Sequence, residues 1–526
     1  MPCRLSEFYS SKLKNKSLTN KYTTMKKATT YLASLALAAL FTVCISHVVQ
    51  AQVVLPDIQV NSGSYEDVDI DAGSKSIAVL NDTVYTVYNA SPTETSSNVY
   101  FSKSVDGGLS FANEISVSTG TTPMTTTLPV IAVDQNGTIY ITWTGITGIN
   151  EVWNIWFTKS SNGGATFQDP IMISTQNAFA YSSMGTFGNS VYIFYADAAN
   201  YPCADYYFVR STNNGQSFEN AVQINDAPCA DGIYFSNLTA MDIDASGNIY
   251  LAWVDGRRTN GNGDIFMSQS TDNGANFSSN VMVNSMSSLG VDSAQYYPDI
   301  TVDAAQNVYI SFVDMKLGND WPNHRVYLTK SIDGGSTFAP EALLDGYENV
   351  CKNHNIATTE QGKLVAVMCA AGLTGWSVWL RESSDGGSSF STPVALSNTQ
   401  STNDFSDLHI STGPNENVYA IWKDGREGPM NVYFARTDNP VSIEEAFSAD
   451  EYLIYPNPTN GQFSIAFETT VTEVEIAIVD LLGKLISTYT YSNTSTVNLE
   501  LNQSAGVYYV QLKTATGQQT LKLIKR

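Results

Sequence analysis

One eight-residue pattern, Ser-x-Asp/Asn-x-Gly-x-x-Phe, occurs six times and constrains the fold more than any other feature. The copies start at Ser104, Ser160, Ser211, Ser270, Ser331 and Ser383 and end at Phe111, Phe167, Phe218, Phe277, Phe338 and Phe390. They recur roughly every 50 to 60 residues, a period that means a propeller or a stacked array. Each copy has hairpin chemistry. Asp or Asn bonds its own backbone a residue or two on, Gly supplies positive φ, and Phe returns to the core.

Each module carries four strand signals. An alternating strand such as Pro129 to Val133 is followed by one ending in an aromatic, such as Gly137 to Trp143 or Gly247 to Trp253. A variable loop leads to a third strand (Asn154 to Lys159, Asp264 to Gln269), and the repeated turn leads to a fourth (Ile171 to Ser174, Val281 to Asn284). Period-2 alternation of Tyr, Ile, Val and Trp is strand-like throughout, with no long helix. Second strands number seven, ending near Tyr88, Trp143, Tyr195, Trp253, Phe312, Met368 and Trp422. The seventh module keeps only a decayed turn, Thr437-Asp438-Asn439-Pro440, and lacks a fourth strand. Asp57 to Ser62 (DIQVNS) resembles Asn280 to Ser285 (NVMVNS) and supplies it. Residues 52–440 are thus expected to form an all-β, seven-bladed propeller closed by its N-terminal strand, which removes exposed edges.

The repeated turn resembles the Asp box, or BNR repeat, of the sialidase and neuraminidase superfamily. In that family the box is structural and lies away from the active face. The resemblance therefore makes Asp106, Asn162, Asn213, Asp272, Asp333 and Asp385 structural. Ordinary sialidases have six blades, so seven is a departure. After an acidic linker, 441–452, residues 453–526 carry Tyr455-Pro456-Asn457-Pro458, a turn at Asp480 and Gly483, the strand Gly506 to Leu512 and a basic end, Leu521 to Arg526. This resembles the type A sorting domain of the type IX secretion system of Bacteroidota, a small immunoglobulin-like β-sandwich. It implies passage through the outer membrane and the secretion machinery as a partner, then release or surface attachment. A generic adhesion or carbohydrate module is the alternative.

Residues 1–51 read as a leader: Met25-Lys26-Lys27, an apolar run Leu32 to Val43 and a small residue at Ala51, with cleavage before Gln52. The formal charge of −23 argues against nucleic acid and anionic membranes. For an exported chain the layout pairs Cys203 with Cys229 and Cys351 with Cys369 as disulfides, because each pair falls on loops sharing one face.

Chemistry is expected on the face bearing the second-to-third-strand and inter-blade loops. Candidate ligand-binding residues are Arg257, Arg258, Tyr296, Tyr297, Trp321, His324, Arg325, His354 and Arg426. Aromatic platforms with fixed guanidiniums and carboxylates suit a sugar. A sialidase needs an arginine triad, a Tyr–Glu pair and an Asp acid/base, and the family's Arg-Ile-Pro element is absent. Asp255-Gly256-Arg257 and Asp424-Gly425-Arg426 occupy equivalent positions, which reads more simply as an ion pair shaping each loop. No metal, cofactor or catalytic assignment follows, and a monomer is expected. The leading reading is a glycan-binding or adhesion propeller. The alternatives are a divergent sialidase-like hydrolase, a polysaccharide lyase or a protein-interaction scaffold.

Overall fold

The computed structural model describes residues 53–438 and 452–526, apart from 64, 71–74, 94–95, 119–123, 148–151, 175–180, 198–203, 228–238, 258–262, 286–293, 315–323, 345–350, 372–374, 399–404, 427, 481–483 and 515–516. The expected leader and linker lie outside the described residues, as do Cys203 and Cys229. The chain is all-β. Among the described residues the one helical segment is a 3-10 turn at Pro414–Glu416.

Residues 53–438 form seven antiparallel sheets. Sheet 4 is representative: Thr239–Ile243, Ile249–Asp255, Asp264–Ser270 and Val281–Met282, each hydrogen-bonded to the next. In the seventh sheet Phe405–Thr412, Val418–Asp424 and Asn431–Asp438 are joined by the N-terminal segment. Ile58–Gln59 pairs with Phe434 and Tyr433, and Val53–Val54, a strand the sequence pattern did not signal, pairs with Asp438 and Thr437. The innermost strands neighbour one another in a cycle that returns from Phe405–Thr412 to Ile77–Leu80. The architecture is a β-propeller.

The repeated turn is held by its own side chains. Ser104 Oγ donates to Asp106 Oδ1 at 2.6 Å and accepts from Gly108 N–H at 2.7 Å. Asp106 Oδ1 also accepts from Leu109 and Ser110 N–H, both at 3.0 Å. Asn162, Asn213, Asp272, Asp333 and Asp385 stand in the same networks. The variable fourth position of the pattern is always Gly or Asn because φ there is positive, from 57° at Asn214 to 71° at Gly107.

The invariant Gly has a second reason. An aromatic ring from the preceding sheet lies against it: Phe101 on Gly164, Phe157 on Gly215, Phe208 on Gly274 and Phe434 on Gly108. A Cβ at Gly215 would come 2.7 Å from Phe157. The turn's own Phe then meets that ring edge-on. Phe157 and Phe218 are 4.9 Å apart at 76°, and Phe434 and Phe111 5.2 Å apart at 71°. Met267 and Leu328 fill the role against Gly335 and Gly387. Just before the turn, a cation reaches the next sheet's turn. Lys103 Nζ donates to Gly163 O at 2.5 Å, Lys159 Nζ to Asn214 O at 2.6 Å and Arg210 Nη1 to Asn273 O at 2.8 Å. Arg436 Nη1 donates to Gly107 O at 2.5 Å and carries the pattern across the seam from the last sheet to the first.

The fourth strands are shorter than their sequence pattern: Val281–Met282 rather than Val281 to Asn284. Side chains replace the ladder at their ends. Asn284 Oδ1 accepts from Ile265 N–H at 2.8 Å, and Ser174, Asn225, Ser397 and Asn61 act alike on their own sheets. A second repeated turn joins the first and second strands. Asp134, Asp244 and Asp303 each accept two backbone N–H bonds and meet the hydroxyls of Tyr140, Tyr250 and Tyr309.

Residues 452–526 form a five-stranded sheet, described by itself. Gln462–Asp480 is paired with Tyr452–Tyr455, Leu485–Glu500 and Gly506–Thr514, and Gly517–Lys525 lies outside the last of these. Alternate residues Phe463, Ile465, Ile476, Ile478, Val510 and Leu512 build its core.

The turn carboxylates should make the propeller's stability fall in acid. Asp272 is lowered to about 2 by hydrogen bonds from Asn276 and Ser270. Asp333 falls to about 2 through Ser331 and Thr337, and Asp385 to about 2 through Ser389 and Ser383. A group depressed by folding contributes stability above its unfolded pKa and loses it as pH falls through the folded one. That contribution should vanish between roughly pH 4 and pH 2. Replacing Asp106, Asp272, Asp333 and Asp385 by Asn, which blades 2 and 3 already carry, should flatten the decline of the urea midpoint from pH 5 to pH 2.5. An equally steep decline in that variant would place the acid sensitivity elsewhere.

Candidate functional site at the channel mouth

The innermost strands enclose a channel with a cavity of about 410 Å³. Apolar side chains alternate with polar ones along its wall, and most of the surface it exposes is polar, with Lys75, Asp242, Asp299 and Asn355 among the polar residues. The two carboxylates are engaged by the wall. Asp242 Oδ2 accepts from Val302 N–H at 2.9 Å, and Asp299 Oδ2 from Ile356 N–H at 2.7 Å. Burial raises the Asp299 pKa against the pull of Lys75 and of the Ile356 and Ile300 N–H groups.

Toward the loop face, beyond the residues that line this cavity, the channel wall is shaped by bulges. The innermost strands of sheets 2, 5 and 7 each carry one extra residue, with breaks in register between Thr127 and Val130, Tyr296 and Asp299, and Ser406 and Leu408. Within each break sits a left-handed residue that is neither Gly nor Asn: Leu128 (φ 57°), Tyr297 (φ 53°) and Asp407 (φ 52°). Such positions cost of order 1–3 kcal/mol and persist where the surroundings over-determine them. Between the last two, Asn353 Nδ2 donates to Asp407 Oδ1 at 3.1 Å. Burial raises the Tyr297 pKa, reinforced by the charge of Asp407 and by Tyr296. Lys423, paired with Asp69 at 3.4 Å, completes the group. Burial works against its charge, but Asp69, Asp67 and Asp407 outweigh it and hold the ammonium above the usual lysine range. Tyr297, Asn353, Asp407, Lys423 and Asp69 thus come together from four different sheets.

The arginines behave otherwise. Arg257 donates to Asp255 through Nε at 2.9 Å and Nη2 at 2.7 Å, to Asp226 at 2.7 Å and to Asn280 at 2.8 Å, and stacks 4.1 Å over Phe266. Arg426 donates to Asp424 through Nε at 2.6 Å and to Asp57 at 2.9 Å, and lies 4.2 Å over Tyr433. The two sites share a plan with acid and amide exchanged. Asp226 and Asn280 bond each other across sheets 3 and 4, and Asn398 and Asp57 do so across sheets 6 and 7. Each guanidinium is spent on its own loop and on the joint between sheets.

Arg325 opens the third strand of sheet 5 opposite Asp314, and His324 beside it is buried. His354 is buried at the start of sheet 6, and burial pushes its pKa down to about 4, so the ring is neutral at pH 7. Tyr296 and Tyr297 share the bulge of sheet 5. Arg258 and Trp321 lie outside the described residues, as does the side chain of Cys351; Cys369 is buried in the second strand of sheet 6. Asp407, Asn353, Lys423 and Asp69 were not singled out from sequence. No group of three or more His, Cys, Asp or Glu suited to a metal occurs among the described residues.

The fold and the C-terminal segment define an exported β-propeller protein. Residues 453–526 match the family of secretion system C-terminal sorting domains. The protein is thus directed by type IX secretion to the cell surface or the extracellular space, with the secretion machinery as a partner. No curated protein matches the chain. Similar solved structures include a protein of unknown function from Dyadobacter fermentans, at 12% identity and TM-score 0.47, covering 74% of this chain and 100% of that one. The NanB sialidase from Streptococcus pneumoniae is similar at 11% identity and TM-score 0.41, covering 73% and 70%. An α-L-arabinofuranosidase from Fusarium graminearum is similar at 11% identity and TM-score 0.42, covering 73% and 97%.

Because Asp424 and Asp57 are nearly inaccessible beside Arg426, Arg426→Ala should cost about 3–5 kcal/mol by leaving buried carboxylates unpaired. Arg210→Ala, whose partner Glu219 is half exposed, should cost under about 1 kcal/mol for the lost ion pair and about 1 kcal/mol for the bond to Asn273 O. Urea unfolding of both variants checks this. A loss at Arg426 as small as at Arg210 would mean that its guanidinium is available to a ligand.

Proposed function

We propose that this is an exported glycan-binding protein whose ligand sits at the channel mouth, against Tyr296, Tyr297, Asn353, Asp407 and Lys423. The observation carrying this reading is the pair of left-handed residues, Tyr297 and Asp407, held at matching bulges on either side of Asn353. A sugar needs an aromatic surface for its C–H face and fixed donors and acceptors for its hydroxyls, and this group offers a phenol, an amide, a carboxylate and an ammonium. The chemistry of the mouth favours binding over hydrolysis. Two of the three arginines that would hold a sugar acid are already ion-paired, Arg257 with Asp255 and Asp226 and Arg426 with Asp424 and Asp57. The six repeated turns, read as Asp boxes, then serve the frame alone.

Binding of a panel of neutral and acidic oligosaccharides to the full chain, by calorimetry, tests this. Tyr297→Phe and Asp407→Asn, which keep the packing at the two bulges, should each weaken binding about tenfold, the loss of one or two good contacts, with the thermal midpoint nearly unchanged. Turnover of a fluorogenic sialoside that disappears in Arg325→Ala would replace this reading with the hydrolase one.

A further inference from the structure

The last strand of the sorting segment, Gly517–Lys525, lies at the edge of its sheet. Edge strands at chain ends fray unless tied down. This one is tied from its outer side. Asn457 Nδ2 donates to Lys522 O at 2.6 Å, and Asn457 Oδ1 accepts from Ile524 N–H at 2.9 Å. Thr459 N–H donates to Ile524 O at 2.8 Å, and Arg526 N–H donates to Thr459 O at 2.9 Å, a parallel bridge opposite Lys525. Thr459 is itself fixed by Gly461 N–H at 3.0 Å and by the carbonyl of Gln462 at 2.5 Å. Lys525 Nζ caps Leu501 O at 2.6 Å. The Asn457 amide, with one donor side and one acceptor, does for the terminal strand what one residue of a further strand would do. The side chains of Lys522 and Arg526 remain exposed, at a spacing that the ordered backbone fixes.

We propose that Asn457 is a positioning residue for export. It holds Lys522–Arg526 as an ordered edge, and the secretion machinery recognises that folded end rather than a flexible tail. A partner then meets the two cations pre-ordered, which lowers the entropic cost of binding. Asn457→Ala in the full chain, expressed in a host with type IX secretion, should speed hydrogen exchange at the Ile524 and Arg526 amides and cut export, each about tenfold for two lost hydrogen bonds. Amides of the propeller should exchange as before. Asn457→Asp keeps the acceptor for Ile524 N–H and loses the donor to Lys522 O, so its export should fall between wild type and the Ala variant. Normal export of the Ala variant with fast exchange at Ile524, or unchanged exchange there, would overturn the proposal. So would equal export of the Ala and Asp variants.

Discussion

The propeller rests on one repeated contact: a side chain from one sheet, an aromatic ring at four of the six turns and Met267 or Leu328 at the other two, held against the glycine of the next sheet's turn. Phe101, Phe157, Phe208 and Phe434 all sit this way. Sheets of four short strands bury too little by themselves, and the outer strands here are only two residues long. Stability therefore comes from faces between sheets, as in other repeat architectures. The contact explains why the turn tolerates Asp or Asn at its third position yet keeps Gly at its fifth. The third position is a matter of local hydrogen bonds that either residue makes. The fifth must have positive φ and no side chain.

The same contact crosses the seam. Phe434 reaches Gly108, Arg436 reaches the Gly107 carbonyl, and Asp57 on the N-terminal strand is gripped by Arg426 and Asn398. First and last sheets are joined by the devices that join the others, so the frame is continuous. A continuous frame can hold strained residues at its centre. Leu128, Tyr297 and Asp407 are such residues, and the last two face the site that the proposal gives to a sugar. The loop arginines Arg257 and Arg426 belong to the frame.

The frame was largely legible in the sequence, because each of its parts repeats. Ser104, Asp106, Gly108 and Phe111 recur in register, and DIQVNS announces itself by likeness to NVMVNS. Lys103, Lys159, Arg210 and Arg436 also recur, just before the turn, but their targets are carbonyls in the next module and leave no local mark. The site was legible only in part. Tyr296 and Tyr297 stand out as aromatics, and Asp-Gly-Arg at two equivalent positions pointed to loop ion pairs. Asp407, Asn353 and Lys423 occur once each, on strands whose alternation hides them. Their meeting depends on bulges, and a bulge with Tyr or Asp in a left-handed conformation has no signature of the kind that Gly or Asn would give.

Native-state hydrogen exchange of the glycine amides bonded to the turn serines tests most directly whether the sheets stand or fall together. Gly108, Gly164, Gly215, Gly274, Gly335 and Gly387 each donate to a serine hydroxyl, at 2.7 to 3.0 Å. If the ring-and-glycine contact makes one cooperative frame, their opening free energies should converge on a single isotherm with added denaturant. One sheet opening well below the rest would show that the modules are stable independently, and would contradict the account.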